Sequence, residues 1–405
     1  MVHQTMPIKI RPAPRASNSN KVMGYAASAA LCALIVGSLG GCASVSLQEA
    51  PPLAAPTAVP AAPAPIAAEP GRVIGQARSR WVAVSWSSVP GWDQDKLEQA
   101  WLAWLKSCER AATMQAPLAA LCPQVRALAG AERPAQSAWV QRTLQPYRVE
   151  SLQGEAQGLL TGYYEPVFEA SRLPTANFSV PLYGPPAGLV KGKPWFTRQE
   201  IDTVPDAKAA LKGRAIAYLA DPIDALVLQI QGSGRIRLQL PDGSARTTRL
   251  AFAGTNEQPY QSPGKWLLEQ GLTRDATWPG IKDWLARNPQ RQQELLWRNP
   301  RVVFFKEEPL AEADAQTGPR GAQGVALTPG RSIAIDPGSM PYGTPVWISS
   351  TGGAGTLQQL VLAQDTGSAI VGAVRADFFA GAGAQAGELA GRLKQPLQMW
   401  VLWPK

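Results

Sequence analysis

The last third of the chain is a series of short apolar runs divided by glycine and proline. The runs fall at residues 301–305, 332–335, 344–348, 357–363, 369–373, 375–379 and 397–402. Each is too short for an independent helix and rich in Val, Ile, Leu or Phe, so each predicts a strand. Many short strands with frequent turns and little helix predict a compact β-barrel. Asp336, Asp365 and Asp377 each fall at a predicted strand end or turn. Three carboxylates so placed can converge on one mouth of the barrel.

Asp365 is the most informative of the three. The buried run 360–363 leads through Gln364 to Asp365, and Thr366-Gly367 turns the chain at once. A carboxyl at the lip of an apolar sheet is desolvated, which penalises its charged form and raises its pKa. A carboxyl still protonated near neutral pH can act as a general acid. Asp also caps turns, so by itself the position carries either role.

Composition removes many alternatives. The single histidine, His3, lies in a segment expected to be cleaved. A mature chain without histidine has no Ser-His-Asp or Cys-His nucleophile and no His-ligated zinc. Acid–base work then falls to Asp, Glu, Lys, Tyr or water. The 405 residues allow two domains, and 45% apolar content allows a substantial core. The formal charge of +9 includes Lys9, Arg11, Arg15 and Lys21. Removing them leaves a mild excess of base, which suits an anionic polymer or a membrane surface. No basic block or aromatic–basic interleaving points to nucleic acid.

Residues 1–41 read as a signal peptide: a basic start, an Ala/Leu/Val run, then Gly40-Gly41 at the cut. The run is short and poor in bulky residues for a transmembrane span. Leu39-Gly40-Gly41-Cys42 resembles a bacterial lipobox, which implies lipidation of Cys42. Ala43 after it resembles lipoproteins sorted to the outer membrane, so the expected location is the periplasmic side of that membrane. Residues 42–72 are Ala/Pro-rich and favour extended polyproline II, a tether in which roughly 28 residues from Cys42 span about 85 Å when fully extended.

Order is expected from residue 73. Residues 81–86 alternate like a strand, and 91–110 read as a helix with Leu97, Trp101, Leu105 and Cys108 on one face. Cys108 and Cys122 are the remaining mature thiols, and an oxidising periplasm allows a disulfide between them. Within residues 157–166, Leu159, Leu160 and Tyr163 fit a strand in which Tyr163 and Tyr164 point to opposite faces, one to a core and one to a groove. From 178 to 300 the chain predicts a second, antiparallel β-rich part, with strands at 225–231, 235–240 and 247–252 and a helix at 281–297. Gly232-Ser233-Gly234 is a tight turn or a sugar contact, and residues 309–323 read as an exposed loop.

Taken together, Gly-Tyr-Tyr-Glu-Pro, Gln-Gly-Ser-Gly, Ile-Asp-Pro-Gly-Ser-Met-Pro-Tyr-Gly-Thr-Pro and Gln-Asp-Thr-Gly-Ser-Ala-Ile resemble the membrane-bound lytic murein transglycosylase A family, as does the later Arg-Ala-Asp-Phe-Phe. The resemblance spans about residues 73–405. Its C-terminal part resembles the 3D domain, named for three aspartates, here Asp336, Asp365 and Asp377. The resemblance implies a mainly β fold: a double-psi β-barrel over 73–168 and 301–405, a second β-rich domain inserted at 169–300, and a cleft between them.

It also implies cleavage of the β-1,4 bond between N-acetylmuramic acid and N-acetylglucosamine in peptidoglycan, leaving a 1,6-anhydro end, with neither a metal nor a cofactor expected. Asp365 matches the catalytic aspartate, with Asp336 and Asp377 as supports. Thr161, Gly162, Tyr163, Tyr164, Gln231, Gly232, Ser233, Gly234 and Ser262 match substrate-binding motifs. Implied partners are glycan strands, the outer membrane through the lipid, and cell-wall synthesis complexes. Gln261 stands where the family pattern has arginine. Two other readings compete. Asp365-Thr-Gly is the motif of aspartic proteases, which with one copy per chain requires a homodimer. A non-catalytic wall-binding lipoprotein fits the tether equally well.

Overall fold

A computed structural model describes residues 71–240, 243–311 and 315–405. The expected signal peptide, Cys42 and nearly all of the expected tether lie outside the described residues. Among the described residues no helix is long and apolar enough to cross a membrane.

Six strands close into the expected barrel. In order around it they are Gly158–Glu165, Lys394–Pro404, Pro345–Gly352, Gly355–Asp365, Ser332–Ile335 and Arg375–Ala382, which returns to Gly158–Glu165. Two of these pairings are parallel, Ser332–Ile335 with Gly355–Asp365 and Arg375–Ala382 with Gly158–Glu165. Closure demands a close seam. A Cβ at Gly158 would sit 1.7 Å from the carbonyl oxygen of Val374. Three further strands, Val73–Gly75, Arg80–Ala83 and Leu144–Glu150, extend the sheet from the edge of Lys394–Pro404.

Alternation along Gly355–Asp365 serves two cores at once. Val361 and Ala363 point into the barrel with Ile333, Ile335, Val346 and Phe378. Leu360 and Leu362 point outward, against Trp101, Trp104 and Trp347. That outer layer is the helix Leu97–Glu109, with Leu97, Trp101 and Cys108 buried as expected. It joins the short helix Cys122–Ala127 through a Cys108–Cys122 disulfide. Truncating a buried tryptophan such as Trp104 in this layer costs about 3–5 kcal/mol.

The second part is built on the strands Val167–Ala170, Gly234–Gln239, Ala245–Thr255 and Val303–Pro309. The expected boundaries at 168/169 and 300/301 therefore fall beside or inside this sheet, because Val167–Ala170 and Val303–Pro309 pair with the insert and not with the barrel. Residues 225–231 are not a strand. Pro222–Gln231 is a helix, started by the Asp221 side chain accepting from the Ile223 amide and stopped by Gly232 in the left-handed region. Its apolar run Ala225–Leu226–Val227–Leu228 is buried all round, and period alone does not separate a fully buried helix from a buried strand.

The helix expected at 281–297 divides at Asn288-Pro289 into Trp278–Arg287 and Gln292–Trp297. Residues 369–373 turn and do not extend, and the helix Gly383–Arg392 was not anticipated. Residues 315–327, whose first nine belong to the loop expected to be exposed at 309–323, fold back over the barrel and bury Gly318, Pro319, Gln323, Val325 and Leu327.

Candidate active site

Strand register builds the site floor. Asp365 pairs with Ala334, Ala334 with Asp377, and Asp377 with Thr161, giving one row across four neighbouring strands. Alternation alone would send Asp365 to the same face as Val361 and Ala363, into the barrel core. The register slips by one residue at this point, so Asp365 lies opposite Ala334, on the face away from Ile333 and Ile335. Such a slip is how a bulge re-aims a side chain. Ala334 offers only a methyl between the two acids. At about 4.8 Å per strand, they stand about 10 Å apart along the row.

The floor opens into a cavity of about 270 Å³, closed on the other side by Gln229, Ile230, Gln231, Tyr260, Asn299 and Arg301 of the insert. Asp365 is half-buried at its edge. Its Oδ2 accepts from the Tyr163 hydroxyl at 2.9 Å, and its Oδ1 accepts from the Ala322 amide at 2.9 Å. Burial pushes the Asp365 carboxyl up, and those hydrogen bonds only partly offset it. Tyr163 packs on Phe379 and is itself pushed well above the ordinary tyrosine range by burial and by Asp365.

Asp377 is pushed up to about 6, first by burial. Thr161 donates its hydroxyl to Asp377, and Arg375 donates to Thr161 at 2.8 Å. Both pull the Asp377 pKa down, whereas the negative charge of Asp365 pushes it up. Like charge therefore acts on Asp377. The rise at Asp365 comes from desolvation.

Asp336 belongs elsewhere. It is 5% exposed and does not line the cavity. It accepts from Arg78 at 3.1 Å, from the Gly338 amide at 2.9 Å and from the Gly372 amide at 2.8 Å. These contacts outweigh burial and hold its carboxyl below the usual range. It ties the turn after Ser332–Ile335 to the loop before Arg375–Ala382.

Of the residues singled out in the sequence, Asp365, Asp377, Thr161, Gly162, Tyr163 and Gln231 come together at the cavity. Tyr164 points the other way, into the apolar cluster of the insert helices, as strand alternation requires. Gly232 stops a helix, and Gly234 is packed so closely that a Cβ would meet Leu228 at 2.1 Å. Ser262 caps the helix Pro263–Glu269 by accepting from the Lys265 amide. Gly232, Ser233, Gly234 and Ser262 do not line the cavity. Gln261 is exposed beside it, and the guanidinium on the insert wall is that of Arg301. The Ala322 amide, Arg301 and Asn299 carried no signal in the sequence, because a backbone donor and two wall residues become a site only when the chain folds back.

The profile of the MltA specific insert domain matches residues 159–306, and that of the 3D domain matches residues 331–403. The membrane-bound lytic murein transglycosylase A of Vibrio cholerae is 34% identical over 278 residues, covering 64% of this chain and 70% of the relative. The lytic transglycosylase LtgG of Burkholderia pseudomallei has 41% identity and a TM-score of 0.57, over 85% of this chain and 100% of that one. MltA from Neisseria gonorrhoeae has 28% identity and a TM-score of 0.70, over 85% and 97%. A closed barrel with an acid row facing an inserted wall is thus the framework of a lytic transglycosylase. The chain belongs to the membrane-bound lytic murein transglycosylase A family. Membership removes the aspartic-protease and non-catalytic readings.

Proposed function

We propose that this peptidoglycan lytic transglycosylase works through one carboxyl, Asp365, acting first as acid and then as base. The observation that carries this is a carboxyl raised by burial at the end of an apolar strand, held by two donors and facing an open cavity. Protonated Asp365 gives its proton to the glycosidic oxygen as that bond to C1 of the muramic acid breaks. The 6-hydroxyl of the same sugar then attacks C1, and the Asp365 carboxylate takes the hydroxyl proton. The 1,6-anhydro ring closes without water. An intramolecular nucleophile makes a second catalytic carboxylate unnecessary, unlike ordinary glycoside hydrolysis.

Asp377, held by Thr161 and near Arg375, lends negative charge to the same floor and orients the sugar. Asp336 supports through the turns it ties. Gln231 binds substrate from the insert side, with its Oε1 anchored on the Tyr164 amide at 3.0 Å.

The relatives are named as membrane-bound. For this chain we place Cys42 as the lipid-bearing residue, the periplasmic face of the outer membrane as its location, and residues 42–72 as the tether. Residues 73–168 with 301–405 serve as barrel and 169–300 as insert, with the junctions shifted to follow strand pairing. Attachment to cell-wall synthesis complexes belongs to the same reading.

The test is digestion of purified sacculi by the full-length, detergent-solubilised chain, read by mass spectrometry. Anhydro-muropeptides are expected, and hydrated reducing ends overturn the assignment. Asp365→Asn lowers release by about 10²–10⁴-fold while fold and sacculus binding persist. Asp377→Asn loses less. The reverse order would make Asp377 the acid.

A further inference from the structure

The two sides of the cavity differ in chemistry. The acids that line it, Asp365 and Asp377, both belong to the barrel floor. The insert wall presents Arg301, Asn299, Gln229, Gln231 and Tyr260, with no acid among them.

The wall is held from behind by one side chain. Arg198 donates through Nε to the Asn299 carbonyl at 2.9 Å, and through Nη2 to Gln229 Oε1 at 2.7 Å and to the Arg301 carbonyl. Burial pushes Arg198 down to about 10, so it remains charged at neutral pH. Gln229 spends its oxygen on Arg198, which leaves its amide hydrogens for the cavity side. Asn299 spends its oxygen on the amides of Gln261 and Arg301, which leaves its amide hydrogens in the same position.

Arg301 donates Nη1 to the Gln258 carbonyl at 3.3 Å. Its Nε and Nη2 meet no acceptor among the described residues. Glu257 attracts it, yet the Glu257 carboxylate takes the Thr255 hydroxyl at 3.2 Å and forms no ion pair with Arg301 among the described residues. Arg375, the other guanidinium at the cavity, is engaged by Thr161 and by the carbonyls of Leu159 and Ala376. The wall is therefore a set of oriented donors around one guanidinium with donors to spare, across from the acid floor. A planar guanidinium matches a carboxylate in two parallel hydrogen bonds.

We propose that Arg301, flanked by Asn299 and Gln229 and fixed by Arg198, is the carboxylate-recognising element of the cleft and sets its preference for muramic acid-bearing glycan over neutral glycan. This rests on the peptidoglycan reading above and deepens it. The carboxylate is either the lactyl group of a muramic acid stripped of peptide or a carboxylate of its peptide stem. Arg301 binds the substrate and takes no part in proton transfer.

The test compares the full-length chain, its Arg301→Gln variant and its Arg301→Lys variant on four substrates. These are sacculi with intact stems, amidase-stripped glycan, and each of the two with its carboxylates blocked as amides. In the unchanged chain, blocking raises KM by about tenfold and leaves kcat within about twofold. In Arg301→Gln, native and blocked substrates give the same raised KM, and Arg301→Lys recovers part of the difference. Loss confined to stem-bearing substrate assigns the stem carboxylate, and loss on stripped glycan assigns the lactyl group. Equal loss on native and blocked substrates, or no loss on either, overturns the proposal. A role in stability alone changes both substrates equally and lowers the Tm.

The failure of the underlying reading is separate. If the unchanged chain releases no anhydro ends, binding constants for the same four glycans still decide whether Arg301 reads a carboxylate.

Discussion

Asp365, Asp377 and Asp336 are one side chain in three surroundings, and the surroundings divide their roles. Two are desolvated at a cavity and rise, and one is saturated with donors and falls. Tyr163 stabilises the Asp365 carboxylate, so it works against burial. An acid that must begin protonated loses activity as pH climbs through its pKa. Removing the hydroxyl lifts that pKa, so Tyr163→Phe moves the alkaline limb of kcat/KM upward by about one pH unit. A limb that stays or moves down counts against Asp365 as the acid.

Asp336 behaves oppositely. A carboxyl lowered by folding stabilises above its unfolded pKa, and that stability fades as pH falls through the folded value. Asp336→Asn costs about 1–3 kcal/mol at neutral pH and flattens the acid side of the stability curve, read by denaturant midpoints across pH. Activity per folded molecule stays near that of the unchanged chain. Asp377 carries the reverse sign. Its pKa, raised from 3.8 to about 6, means stability is lost as pH rises through that window.

At the scale of elements, the loop 315–327 is the feature that the sequence hid. Its composition is that of an exposed connection. Its position is decided by a buried polar network reaching the barrel and the helix Leu97–Glu109. The Gln323 amide donates to the Gln364 carbonyl at 3.0 Å, and Ser107 donates to Gln323 Oε1 at 3.0 Å. Gln364 in turn donates to the Ala103 carbonyl at 2.7 Å. This network sets the Ala322 amide against Asp365. Gly321 allows the approach, because a Cβ there would lie 2.5 Å from the Gln364 carbonyl and 3.2 Å from the Asp365 Cβ. Gly321→Ala pushes the loop off the acid. We expect kcat to fall on the order of 100-fold, with only a small change in Tm. Unchanged turnover would mean that the Ala322 amide has no part in holding Asp365.

Across the whole molecule, barrel and insert are joined by a buried charge cluster. Glu165, fully buried at the end of a barrel strand, accepts from Arg235 at 2.8 Å and from Arg249 at 2.6 Å, both on insert strands. The two arginines also donate to the Thr317 carbonyl, which adds the returning loop to the joint. Glu165→Gln leaves two guanidinium groups buried against a neutral amide. The expected cost is about 3–5 kcal/mol by chemical denaturation. A cost below about 1 kcal/mol would show that water reaches the cluster and that the joint is held by apolar packing.

Much of the chain was legible because its signals are local. Short apolar runs between glycine and proline turns marked most of the barrel strands, the turn after Asp365 marked the strand lip, and the absence of histidine past His3 pointed acid–base work at carboxyls. Tyr163 and Tyr164 parted to opposite faces for the same local reason. Tertiary structure alone decided three things. It made residues 222–231 a helix, because a run buried on every side has no period to read. It turned Asp365 outward through a one-residue slip against Ala334, since register belongs to a pair of strands and not to either one. It brought Arg301 and the Ala322 amide to the acids, because groups far apart along the chain meet only when a barrel closes beneath an insert.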